Sequence, residues 1–145
     1  MEFLKIKTKY KGVSVDAKII EGISILRGHS GTGKTFFMEA AYAYCQDNNI
    51  SCIMMDYKSR NLDAESIKNT CKNMDVVLLD NADLYLTPNL LKDIIKTSKY
   101  ILICIRHEVN YRKFGRYYYI VKYEDLAINL YMHGGIRNKL AEIIG

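Results

Sequence analysis

The chain has a single proline, no Cys-x-x-Cys pair and no apolar run approaching the roughly 20 residues that cross a bilayer. Its longest apolar stretches, such as Tyr100 to Ile105 and Val76 to Leu79, are far too short to span. Glu2, Lys5 and Lys7 interrupt the N-terminus where a secretory leader would be continuously hydrophobic. No membrane partner is expected, and the reading is of a cytoplasmic protein. Cys45, Cys52, Cys71 and Cys104 each lie inside an apolar segment, which suits small buried thiols in a reducing compartment and neither a zinc site nor a disulfide frame. Internal repeats, low-complexity tracts and linkers are also missing. What remains is 145 residues, 49% hydrophobic and 26% charged, a composition that excludes disorder and predicts one globular domain over residues 1–145.

Period-two alternation opens the chain. Leu4, Ile6, Thr8 and Tyr10 alternate with Lys5, Lys7, Lys9 and Lys11, which predicts a strand with four lysines on one wet face. Gly12 offers a turn, and Val13, Val15, Ile19 and Ile20 predict an antiparallel return strand. Ile23 to Leu26 reads as a short buried strand, and Lys34 onward as a helix with Phe37, Ala40, Ala41, Tyr44 and Cys45 on its buried stripe. Ser51 to Tyr57 predicts a second buried strand with Asp56 near its exit. Asn61 or Asp63 would cap the next helix, which carries Ala64, Ile67, Cys71 and Met74 at helical spacing.

Val76 to Leu79 is a third apolar strand, ending at Asp80. Thr87-Pro88 then starts a helix, because the hydroxyl caps free amides and proline needs no cap, with Leu91, Ile94, Ile95 and Ser98 turned inward. Tyr100 to Ile105 and Tyr117 to Val121 are further strands; Leu126 to Met132 reads equally as strand or helix, and residues 136–144 as a short closing helix. Strands and helices thus alternate from Ile23 onward, as in a parallel α/β sheet.

Residues 28 to 35 read GHSGTGKT, matching G-x-x-x-x-G-K-[ST] between a predicted strand and a predicted helix. A polyphosphate must meet many donors at once, and glycines let successive backbone N–H groups approach it without Cβ clashes. Gly28, Gly31 and Gly33 supply that freedom, with His29, Ser30 and Thr32 completing the loop. The helix that follows adds its unpaired amides and positive dipole end. Lys34 would reach the β and γ phosphates, and the Thr35 hydroxyl would ligate Mg²⁺.

On these residues the sequence resembles the P-loop NTPase superfamily, from Ile23 to about Val121. The resemblance implies a three-layer α/β fold, mostly parallel, here with an N-terminal antiparallel hairpin. It implies an acid completing the Mg²⁺ shell at the end of a buried strand, the role of Asp80 after VVLL; the other reading of Asp80 is a turn cap. No N-K-x-D string of the kind that guanine-specific members carry occurs, so the resemblance implies ATP as the nucleotide. The late strand KYILICIRHE resembles that of the additional-strand ATPases, a group including ABC, AAA+ and RecA-like proteins, in which it lies beside the loop strand and presents a polar sensor. Arg106 and His107 fall there, and His107 is similar in placement to the ABC switch histidine. Tyr10 could stack on adenine as the ABC aromatic loop does, or be one more core aromatic.

Departures from the pattern shape the functional reading. Ser59 to Asp75 holds no LSGGQ-like signature, which excludes a transporter subunit. Asn81 stands where most such ATPases carry a glutamate, and asparagine can position a water but cannot take its proton. Asp56 is the substitute base, or a strand-end cap. The expected function is ATP and Mg²⁺ binding with hydrolysis that is slow or needs a partner or second copy to supply an arginine. One alternative is a small kinase, with Asp56 as base and Arg106, Arg112 and Arg116 as a lid. Another is an ATP-gated module that captures nucleic acid or protein. Net charge is +5, and Lys96 to Lys122 holds seven bases against Glu108 alone, a segment suited to an anionic partner or to a solvated face beside the nucleotide.

Overall fold

Alternating burial fixes the first two strands, β1 (Phe3–Tyr10) and β2 (Val13–Ile20). Ile6 is buried between exposed Lys5 and Lys7, while Val13, Val15, Ala17 and Ile19 turn inward from β2. Lys11 and Gly12 join the strands with φ of 48° and 79°, the paired left-handed values that a two-residue hairpin favours and that glycine adopts without strain. The computed structural model of the chain describes residues 2–27, 33–56, 58, 61–105, 117–124 and 126–132.

The remaining elements are β3 (Gly22–Arg27), α1 (Lys34–Asp47), β4 (Cys52–Met55), α2 (Ala64–Cys71), β5 (Val76–Leu79), a 3-10 turn (Ala82–Leu84), α3 (Pro88–Ile95), β6 (Tyr100–Cys104), β7 (Tyr117–Glu124) and β8 (Ala127–Met132). All eight strands form one sheet in the order β1-β2-β8-β7-β3-β6-β5-β4. The run β7-β3-β6-β5-β4 is parallel throughout. β1 with β2, and β7 with β8, are antiparallel. The segment that reads equally as strand or helix is therefore a strand. β8 also runs parallel to β2 from Ser14 to Asp16, joining the hairpin to the central sheet, and the Ser14 amide donates to the Leu126 carbonyl at 2.9 Å.

Successive residues of the central strands belong to two separate apolar clusters. Leu26, Val76, Leu78, Leu102 and Cys104 pack with Phe37, Met38, Ala40, Ala41 and Cys45 of α1 and with the inner side of the hairpin. Ile25, Val77, Leu79, Ile101 and Ile103 pack with Ile67 and Cys71 of α2 and Leu90, Leu91 and Ile94 of α3. Helices covering both faces explain why these strands read as unbroken apolar runs.

Some side chains differ from the sequence expectation. Met38 is buried in α1 while Tyr44 is half-buried, and Ile95 is exposed at the end of α3. β4 is an edge strand, with Ile53 and Met54 half-buried, so covered faces coexist with an open backbone edge. Tyr57 and residues 136–144 lie outside the described residues. Among the described residues, no helix is long and apolar enough to cross a membrane.

Candidate functional site

Among the described residues, α1, α2 and α3 begin in two different ways. α2 starts on Asp63, whose Oδ1 accepts the Ser66 amide at 2.7 Å, and α3 on Thr87, whose Oγ1 accepts the Leu90 amide at 3.2 Å. α1 starts on Gly33, at φ 93° and ψ 18°, with neither a side-chain cap nor an acid in its first turn. The left-handed Gly33 turns the chain from the loop into the helix, a conformation that any Cβ would strain. Gly33 thus offers no capping side chain of the kind that Asp63 and Thr87 supply to α2 and α3, and the positive end of the α1 dipole suits an anion.

Thr35, in that first turn, donates from Oγ1 to Oδ2 of Asp80 at 3.0 Å across 45 residues of sequence. Asp80 follows β5 and is 2% exposed. Every polar group it carries is engaged. Oδ1 accepts the Asn81 amide at 3.0 Å, its own amide donates to the Met55 carbonyl at 2.8 Å, and its carbonyl accepts the Tyr85 hydroxyl at 2.7 Å. The Tyr85 hydroxyl also lies 3.3 Å from the Met55 carbonyl, so one phenol spans the ends of β4 and β5. A buried carboxylate held at four points keeps its position when the ligand beside it changes.

The Thr35 and Asp80 oxygens fit a divalent cation. Cis ligands of an octahedral Mg²⁺ at 2.0–2.1 Å stand about 2.9 Å apart, close to the separation of this pair. Thr35 gives its only proton to Asp80, which leaves the hydroxyl lone pairs for a cation. Two protein oxygens also suit an ion that keeps several waters or phosphate oxygens.

Asn81 takes φ 51° and ψ 39°, a left-handed conformation, and is half-buried. Asp56 is half-buried one residue beyond β4, and its Oδ1 accepts the Lys58 amide at 2.9 Å. Because Met55 pairs with Leu79, the next residues on these parallel strands are Asp56 and Asp80. Tyr10 is half-buried, edge-on to Phe36 with centroids 5.3 Å apart, and so it stands beside the first turn of α1. Gly28, His29, Ser30, Gly31 and Thr32 lie outside the described residues, as do Arg106, His107, Arg112, Lys113 and Arg116. Of the basic segment, Lys96 pairs with Asp93 at 3.6 Å and Lys99 with Glu2, so its first two bases have acids supplied from elsewhere.

Two residues of the site escape the sequence reading. Tyr85 looks like any tyrosine after a turn. Cys104, last in β6, is buried close enough to the site for its charges to act on the thiol. Burial is the main cause that pushes this thiol up to about 12; Asp80 adds to the rise and Lys34 opposes it. Continuing the alternation from Tyr100 and Leu102 would have placed Cys104 on the face that α1 covers.

No protein-family model matches the chain, and no curated protein matches it. Among solved structures, the chain is similar over 99% of its length to part of a model of ribosome-bound archaeal Pelota and ABCE1, with 12% identity and a TM-score of 0.57. It is also similar over 60% of its length to a DNA replication initiation factor, with 18% identity and a TM-score of 0.47. A third likeness, over 59%, is to AMPPCP-bound DnaA from Aquifex aeolicus, with 24% identity and a TM-score of 0.43. The chain spans 32–36% of the length of these structures. The likeness at a TM-score of 0.57 is one of fold, a mixed α/β sheet with helices on its faces. In that sheet β3, which precedes the GKT motif, and β5, which precedes Asp80, are separated by β6.

Proposed function

We propose that residues 1–145 form a single three-layer P-loop domain of the additional-strand type that binds ATP and Mg²⁺ and hydrolyses ATP slowly or on activation by a partner. The observation that carries this reading is the Thr35–Asp80 hydrogen bond, which joins the end of the GKT motif to the acid after β5. β6 inserted between β3 and β5 supports the additional-strand branch.

In this reading the amides of residues 28–33 and the N-terminus of α1 receive the phosphates, and Lys34 offsets negative charge on the β and γ groups. Thr35 and Asp80 would hold Mg²⁺, which when bound neutralises charge on the phosphate oxygens. Water attacks the γ phosphorus, the bond to the β–γ bridging oxygen breaks, and ADP leaves with the bonding electrons. Asn81 orients the water through its amide, and the water's proton passes to a γ-phosphate oxygen or to the carboxylate of Asp56, the residue after β4. Arg106 and His107 supply the sensor after β6, and Tyr10 borders the adenine. Four free, buried cysteines suit a cytoplasmic setting. The activating partner is a nucleic acid, a protein or a second copy, meeting the segment Lys96 to Lys122.

Asn81 favours a second reading, nucleotide binding without significant turnover, because its left-handed backbone suits asparagine better than the usual glutamate. Phosphate release with ATP and GTP, alone and with DNA or RNA, separates the two, and calorimetry with Mg²⁺–ATP tests their common ground. Lys34→Ala should abolish γ-phosphate-dependent binding and any turnover. Binding of ATP unchanged in that variant overturns the assignment of the loop.

A further inference from the structure

The outer face of the β1–β2 hairpin carries a charge pattern that the nucleotide site does not use. Lys5, Lys7 and Lys9 are exposed at alternate positions of β1, so they stand about 6.8 Å apart in a row. Lys18 is exposed on β2 directly opposite Lys5. One acid, Asp16, shares the face opposite Lys7, and no described acid forms an ion pair with Lys5, Lys7 or Lys9. Phe3 begins the same row, 39% exposed, with the Lys18 ammonium 4.1 Å from its ring centroid. The opposite side of the hairpin is buried against α1, so among the described residues this is its free side.

Lysines on an edge strand hinder unwanted strand pairing, and β1 is an edge. That accounts for β1 but not for Lys18, because β2 lies inside the sheet between β1 and β8. Like charges directly opposite one another destabilise an antiparallel pair, so the Lys5–Lys18 pairing costs stability that a bound anion would return. The straight row has a repeat close to that of consecutive phosphates along an extended strand, and it ends at an exposed aromatic ring. A basic track with a stacking platform is the chemistry of single-strand recognition.

We propose that the Lys5, Lys7, Lys9 and Lys18 face of the hairpin binds the phosphate backbone of a single-stranded nucleic acid, with Phe3 as a base-stacking position. The full chain is titrated against a fluorescein-labelled oligothymidine, a duplex, and phosphatidylcholine–phosphatidylserine vesicles over a range of salt. Four phosphate contacts give a log–log salt slope of about −2.8, or an affinity loss of about 50-fold from 50 to 200 mM salt. In Lys5→Gln/Lys7→Gln/Lys9→Gln the slope falls to about −0.7 and the loss over that range to about threefold. The corresponding triple arginine variant retains binding, and an unchanged circular dichroism melt excludes unfolding as the cause. Phe3→Ala weakens binding by about fivefold or more while leaving the slope alone. The proposal is overturned if the oligothymidine does not bind, if the glutamine variant keeps the parent affinity and slope, or if duplex or vesicles bind more tightly than the single strand.

Discussion

At Asn81 the backbone sits at φ 51° and ψ 39°, which asparagine and aspartate enter far more readily than glutamate. A glutamate there would carry about 1–2 kcal/mol of left-handed strain. Aspartate restores a carboxylate without that strain, so Asn81→Asp is the sharper test of whether a missing base limits turnover. Phosphate release is expected to rise by up to ~10²-fold in Asn81→Asp and by less in Asn81→Glu. A flat response in both variants, measured at saturating ATP, would move the water-positioning role to Asp56. That Thr35 and Asp80 stand together was expected from motif spacing and a strand ending, and their hydrogen bond joins them. Tyr85 and Cys104 were not expected there, because their roles come from which strand ends meet in space.

Among the elements, the β7–β8 hairpin contains the clearest local misfit. Leu126 has φ 57° and is 62% exposed, a left-handed conformation that a bulky side chain pays for without burial in return. Leu126→Asn should stabilise the fold by about 1 kcal/mol and raise the melting temperature by roughly 2–4 °C; a lower value in calorimetry would show that Leu126 packs in a way its exposure conceals. The helix starts at Asp63 and Thr87 were readable because a cap is a local signal. The identity of β8 was not, since Ala127 to Met132 becomes a strand by pairing both with its hairpin partner β7 and with β2, far away in sequence. β4 shows the same limit: its apolar run announced covered faces but not its place at the edge of the sheet.

Across the whole molecule, buried thiols tie stability to alkaline pH. Burial raises Cys71 to about 11, and burial with Asp80 raises Cys104 to about 12, from an ordinary value of 9.0. Above pH 9 the unfolded chain therefore releases protons that the folded chain retains, so stability present below that value is lost as pH climbs through 11 and 12. The urea midpoint should fall steeply over this window, and less steeply in Cys71→Ala/Cys104→Ala even though that variant starts lower. Equal slopes would mean that other groups drive the loss. The alternation of strands and helices was visible from Ile23 onward and the resemblance set β6 beside β3, yet the rest of the strand order emerged only from pairing.

That order has a mechanical result. β6 is hydrogen-bonded on one side to β3, the strand before the GKT motif, and on the other to β5, the strand before Asp80. A ligand that draws Thr35 and Asp80 together therefore acts as a crosswise tie over the middle strand. Its grip is shared by three strands, so occupancy braces the centre of the sheet as well as the start of α1.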